Sequence, residues 1–218
     1  MNEQLAHAHF QFPNQRTGRT RDHGNFIEMI VILLYMFTEI FLICIELFVL
    51  SVGSKNVVPL RRAKLRKDVE ILRHIFGVQR FDMGIICVDN RKIQRINHIY
   101  RKKNQPTDVL SFPFYEDLRP GKIPCTLHRD EYNLGDIFLG VEYVMHQSKE
   151  SSLDLHEALT VVTAHGICHL LGYRHETEEE WNEMQQKESY ILSEFNRLTG
   201  SHLEPLTKRC DVTHWTDS

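Results

Sequence analysis

The sequence predicts an α+β fold, a mixed β-sheet packed with helices, on three observations. Short apolar runs bounded by Asp, Asn, Gly or Pro alternate with longer stretches whose apolar residues recur at helical spacing. Their order, strand-helix-strand-helix-strand-strand-helix-helix, asks for layers in which not every strand is parallel. The penultimate helix is apolar around a pair of histidines four residues apart, His165 and His169, and a helix of that character belongs against a sheet.

Element by element, residues 1–25 set Arg16, Arg19 and Arg21 against Glu3 and Asp22 with no apolar periodicity, and read as disordered. Residues 26–46 form an apolar helical segment. The whole stretch 26–50 is long enough to cross a bilayer but holds Glu28, Glu39 and Glu46 on one narrow helical stripe. A carboxylate at the bilayer centre costs about 3 kcal/mol, so a membrane anchor, an interfacial or partner-packed helix, and an atypical extension on an otherwise ordinary domain all stay open.

The folded domain is expected over residues 47–200, starting with a strand at Phe48–Val52 or Val57–Val58. Pro59 suits a helix N-terminus, and Leu65, Val69, Leu72 and Phe76 keep helical spacing up to Gly77, a natural terminator. Met83–Val88 reads as a buried strand. Asp89 or Asn90 then caps a helix whose inner face is Ile93, Ile96 and Tyr100, while Arg91, Lys92, Arg95, Lys102 and Lys103 stay wet. Pro106-Thr107 breaks that helix, Val109–Pro113 is extended, and 115–133 is a loop. Leu134–Val144 contains a strand, Asp136–Leu139 at least. Leu155–Leu171 is the histidine helix, with Leu155, Leu159, Val162 and Ile167 for the core. Thr177 with Glu180 forms a capping box, so a last helix should run to about Leu198 and stop at Gly200. Residues 201–218 are a tail.

With 218 residues, 42% of them hydrophobic, the chain can bury one good core. Its five cysteines are odd in number and never spaced Cys-x-x-Cys, so neither a disulfide framework nor a cysteine zinc knuckle is indicated. Charge is unevenly placed: residues 61–103 carry 13 Lys or Arg against 4 Asp or Glu, and residues 104–218 carry 9 against 20. A basic block of that density suits a polyanion, although two solvated helix faces would give the same composition.

His165, His169 and His175 stand at i, i+4 and i+10. Residues four apart share a helix face with Cβ atoms about 5–6 Å apart, so the first two can bite one ion. Gly172 lets the chain leave the helix and bring His175 to a third corner. Three neutral imidazoles leave one corner of a tetrahedron open, as in a catalytic zinc site, where a bound water's pKa falls to about 7. The layout of helix, glycine turn and third His is zincin-like. A zincin protease, however, places a Glu after the first His as its base, and here Gly166 occupies that position. Cys168 lies within the motif but suits a buried thiol better than a ligand. His156-Glu157 opens like a protease motif yet meets Thr160 where the second His would be, and reads as surface.

Three blocks carry a family resemblance: His165-Gly-x-x-His169-Leu-x-Gly172-Tyr-x-His175; Asn97-x-x-Tyr100-Arg101 with Pro106-Thr107-Asp108-Val109-Leu110-Ser111-Phe112-Pro113; and Leu134-Gly135-Asp136-Ile137. In their order along the chain these blocks resemble the YbeY family of endoribonucleases, zinc-dependent enzymes of ribosomal-RNA maturation, over roughly residues 50–200. Arg174 departs from the many relatives with Asp before the third His. The resemblance implies hydrolysis of single-stranded RNA in ribosomal-RNA processing and ribosome biogenesis. It also implies one Zn2+ on His165, His169 and His175, with Arg101 as the catalytic cation. Ribosomal small-subunit proteins are the implied partners. The mitochondrion is the implied location, given the acid-poor N-terminus, with nucleus and cytoplasm as alternatives.

Arg101 has a physical rationale of its own, because a guanidinium offers forked donors to the oxygens of a phosphodiester under attack. Asp136 and Asp108 are the candidate bases; Asp136 could instead orient a ligand histidine, and Asp108 could cap a turn or pair with Arg101. Ser111 could bond a phosphate or simply pack. Three rival functions stand beside this one: a zinc metallopeptidase with an unidentified base, a non-catalytic zinc-stabilised ribosome-assembly protein, and a membrane protein with a soluble tail.

Overall fold

The computed structural model describes residues 48–52, 58–125, 128, 131–151 and 153–206. The expectations for residues 1–25 and 26–46, and for the tail beyond 206, fall outside the described residues. So does most of the membrane-length stretch, of which 48–50 open a strand; among the described residues no helix is long and apolar enough to cross a membrane.

Among the described residues nine elements follow one another: β1 (Phe48–Val52), α1 (Arg62–Phe76), β2 (Asp82–Val88), α2 (Asn90–Arg101), β3 (Val109–Pro113), β4 (Asn133–Gly140), α3 (Val141–Ser151), α4 (Leu155–Leu170) and α5 (Glu178–Thr199). The strands lie in the order β1-β2-β4-β3. β1 and β4 run parallel to β2, and β3 runs antiparallel to β4 on the edge. This is the mixed sheet of an α+β fold.

The caps are those the sequence signals. Gly77 ends α1 at φ 75°, the left-handed conformation that costs glycine little. The Asp89 carboxylate accepts from the Lys92 amide at the start of α2, and Thr177 with Glu180 closes a reciprocal capping box on α5.

Side chains alternate across a strand, so the sheet has two faces of different character. The inner face (Met83, Ile85, Cys87, Val109, Ile137, Leu139) enters the main core with Leu65 and Leu72 of α1, Leu159 and Ile167 of α4, and Met184, Ile191 and Phe195 of α5. Each fully buried Leu or Ile contributes about 1.5–3 kcal/mol there. Among the described residues, the outer face (Val88, Leu110 and the half-buried Ile86, Phe112 and Phe138) packs in a smaller cluster with Ile93 and Ile96 of α2.

Helix α4 is the centre of the molecule. Every residue from Leu159 to Leu170 is buried, because α4 packs against β3 and β4 on one side and α1, α3 and α5 on the others. Gly166 sets how close it comes to the sheet. A Cβ there would lie 3.0 Å from Ile137 Cγ2 and 3.2 Å from Ser111 Oγ, so the helix backbone rests on the strands.

Two expectations need correction, and one helix stands where none was expected. The strand expected within Leu134–Val144 is there, over Asn133–Gly140, and ends where the Gly140 amide donates to the Asp108 carbonyl at 2.8 Å; α3, absent from the expected order, begins at the next residue. Val141, Tyr143 and Val144 look like strand, but Val141 and Val144 are buried three apart, on one helical face. Tyr100, assigned to the inner side of α2, is 42% exposed, and Asn97 is buried there instead. His156, read as surface, is buried at the N-terminus of α1, where its Nε2 accepts from the Arg61 amide at 3.3 Å. Burial lowers its pKa, which keeps the ring neutral and able to accept.

Candidate metal centre

His165 and His169 project from the last turns of α4. Leu171 and Gly172 then end the helix, the Gly172 amide returning to the His169 carbonyl and the Tyr173 amide to the Cys168 carbonyl, each at 3.1 Å. Gly172 sits at φ +83°, and a Cβ on it would meet the Leu118 carbonyl at 2.0 Å, so no other residue makes this turn in this space. The turn brings His175 back beside the helix. Ring centroids of His165, His169 and His175 lie 4.5, 5.2 and 5.6 Å apart pairwise. One ligand nitrogen from each falls within 4.8 Å of the others.

Hydrogen bonds behind the rings decide which nitrogens face inward. His169 Nδ1 lies 3.0 Å from the Tyr173 carbonyl, which can only accept, so Nδ1 carries the proton. His165 Nδ1 lies 2.5 Å from a Glu188 carboxylate oxygen, and a carboxylate likewise asks for a proton on Nδ1. Both rings therefore present Nε2 lone pairs, and those two nitrogens are 3.0 Å apart. Two lone pairs facing each other in a dry pocket repel unless a cation lies between them. The donor set thus fits a metal: two buried neutral imidazoles with fixed tautomers, and the half-buried His175 open toward solvent.

Glu188 carries no motif in the sequence. It is 1% exposed on α5, and its place between Met184 and Ile191 on the buried stripe of that helix was the available signal. An acid at a core position is rare unless something pairs with it.

The other residues singled out in the sequence separate cleanly. Ser111 is buried and donates to the Gly166 carbonyl at 3.3 Å, the packing role rather than phosphate contact. Asp108 is buried, and its Oδ1 accepts from the Val109 amide and the Thr107 hydroxyl, each at 2.9 Å, so it shapes the turn into β3. Asp136 pairs with Gly84 across β2 and β4; a Cβ on Gly84 would lie 2.2 Å from its Oδ1. Its neighbour Ile137 touches Gly166, so Asp136 points to the outer face. That placement removes it as a base at the histidines or as a partner of their rings. Burial raises its pKa. Cys168 is fully buried in the main core, with its thiol pKa pushed well up by burial, and stands apart from the histidine cluster.

Arg101 ends α2 on the other side of the sheet edge. Its neighbour Tyr100 packs on Phe112 at 4.8 Å between ring centroids, while the next residue of β3, Ser111, touches Gly166 of the histidine helix. One edge strand therefore carries the arginine helix on one face and the histidine helix on the other.

A family model described as Endoribonuclease YbeY matches residues 58–196. The human Endoribonuclease YbeY is 58% identical over 154 residues, spanning 71% of this chain and 92% of its own length. Its namesake from Aquifex aeolicus is 33% identical over 150 residues, covering 66% and 93% respectively. A solution structure from Thermotoga maritima aligns with 74% of this chain and all of its own at 23% identity, with a TM-score of 0.43.

Proposed function

The chain belongs to the YbeY endoribonuclease family, and from that premise we propose that it is a zinc-dependent endonuclease of single-stranded RNA acting in ribosomal-RNA processing. The observation that carries the metal reading is the convergence of His165, His169 and His175, two of them with tautomers fixed from behind.

When bound, zinc supplies Lewis-acid polarisation of a phosphoryl oxygen and acidifies a coordinated water. The chain's own residues do the rest. Glu188 and the Tyr173 carbonyl hold the Nδ1 protons of His165 and His169, which orients both rings and raises their basicity as ligands. Arg101, at the end of α2 beside the open sheet edge, grips the non-bridging oxygens of the scissile phosphate as charge gathers on them.

Two points weigh against a peptidase. Gly166 stands where a zincin places its base, and a Cβ there would already lie 3.0–3.2 Å from side-chain atoms of Ile137 and Ser111, so a peptidase would have to draw its base from elsewhere in the chain. The structural-zinc alternative asks for a fourth protein ligand, and among the described residues the cluster has three.

By family likeness, the substrate is ribosomal RNA and the partners are small-subunit ribosomal proteins. The mitochondrion is the proposed location, checked by imaging the tagged full-length chain. The test of function is zinc-loaded protein assayed side by side on unpaired RNA and on casein. Cleavage of RNA alone, lost on chelation and restored by zinc, is expected; casein hydrolysis, or RNA cleavage indifferent to chelation, contradicts the reading.

A further inference from the structure

Tyr100 breaks the pattern of its own helix. On α2, Ile93, Ile96 and Asn97 are buried, yet Tyr100, one turn after Ile96, is 42% exposed. Its ring is nevertheless firmly seated. It makes an edge-type contact with Phe112, centroids 4.8 Å apart and planes at 69°. Phe112 makes a second with Phe138, at 5.5 Å and 83°. Three aromatics in series, anchored on β3 and β4, hold the outermost ring in place while part of its surface stays wet. A large apolar surface kept in water forgoes stabilisation that burial would give.

Arg91, Arg95 and Lys102 are exposed and lie along the solvent side of α2, turned away from the sheet side where Tyr100 packs on Phe112. Arg101 adjoins Tyr100. Lys102 turns the chain at φ 59° with its Nζ on the Ile99 carbonyl at 3.0 Å. A rigid, half-open aromatic next to an arginine matches the chemistry of an unpaired nucleotide, whose base offers a π face and whose phosphate offers the counter-charge.

We propose that Tyr100 is a base-stacking platform that holds an unpaired nucleobase next to the phosphate engaged by Arg101. The inference rests on the endoribonuclease reading and deepens it. Stacking on a side chain needs a base whose face is free, and in a duplex both faces are taken by neighbouring pairs. The platform therefore supplies selectivity for single strands without reading sequence. Tyr100 is a substrate-positioning residue, and its removal weakens binding with little effect on the chemical step.

The experiment uses the full-length, zinc-loaded chain and a short unpaired RNA carrying 2-aminopurine, whose fluorescence falls on stacking, mixed in a stopped-flow instrument and read before turnover. Wild-type protein and Tyr100→Phe are expected to quench the probe. Tyr100→Leu, which keeps an apolar contact with Phe112, should lose the quench and raise KM for unpaired RNA roughly 5- to 100-fold, with kcat within about twofold. Its preference for unpaired over duplex RNA should narrow by a similar factor. A Tyr100→Leu chain with the wild-type melting temperature, KM and quench would overturn the platform and assign the exposed ring to a protein contact. A wild-type chain that neither binds nor cleaves RNA would overturn the nuclease reading, and the platform with it.

Discussion

The two faces of the sheet solve different problems. On the inner face, α4 is buried along its whole central length, and its two candidate ligand histidines are each fixed from behind, His165 by Glu188 and His169 by the Tyr173 carbonyl. On the outer face, among the described residues, α2 covers part of the strands, with Phe112 and Phe138 half-buried and Tyr100 exposed next to Arg101. Precise geometry is built where packing removes every alternative, and on the proposed reading the substrate is met from the α2 side. Substitutions on the inner face should therefore move metal and stability together, and those on α2 should change RNA binding or cleavage with the metal retained.

The largest separation should come from His169→Ala, which removes a buried ligand. Zinc content is expected to fall from about one ion per chain to near zero, with cleavage at background. Metal analysis and an RNA assay on the same preparation check this, and full metal content in that variant would break the assignment. Arg101→Ala should do the opposite: zinc stays at the wild-type level while kcat falls by about 100- to 1,000-fold, the scale of a lost transition-state donor. Loss of metal along with activity would place Arg101 on the wrong side of the comparison.

A smaller effect is expected for Glu188→Gln, which keeps the volume and one acceptor oxygen but gives up the charge facing His165. Zinc affinity measured by chelator competition should drop about 10- to 100-fold. An unchanged affinity would show the carboxylate to be irrelevant to the metal.

The smallest effect belongs to Asp136→Asn on the outer face. Burial holds the Asp136 carboxyl above the usual carboxylate range, so the native state binds its proton more tightly than the unfolded chain does. The resulting stability is present below the unfolded value and is lost as pH rises through the native one. Asn carries no such loss. The variant should melt about 2–4 °C higher at pH 7, with the gain shrinking toward pH 4, and its zinc content should not change. A gain of equal size at every pH would show that ionisation of the buried carboxyl is not its source.

The contrast between faces also explains what the sequence disclosed and what it withheld. The histidine motif was legible because four-residue spacing on a helix and a glycine before the third His are local geometry, and the capping box on α5 and the glycine ends of α1 and α5 are local as well. Helix α3 was not, because Val141, Tyr143 and Val144 have strand-like side chains and only the Gly140 amide contact with Asp108 shows where β4 stops. The outward direction of Asp136 depends on the register of β2 against β4, which a single strand does not reveal. Glu188 lay between: its position on the apolar stripe of α5 was written in the sequence, but its partner is 23 residues away and comes near only through tertiary packing. The reversed assignment of Tyr100 has the same origin, since Asn97 takes the inner position to donate to the Gln105 carbonyl at 2.8 Å.

X-ray absorption at the zinc edge of the loaded full-length protein tests the central claim most directly. Three imidazole nitrogens at about 2.0–2.1 Å and one oxygen from solvent are predicted. A first shell of four protein donors, or fewer than three imidazoles, would contradict it.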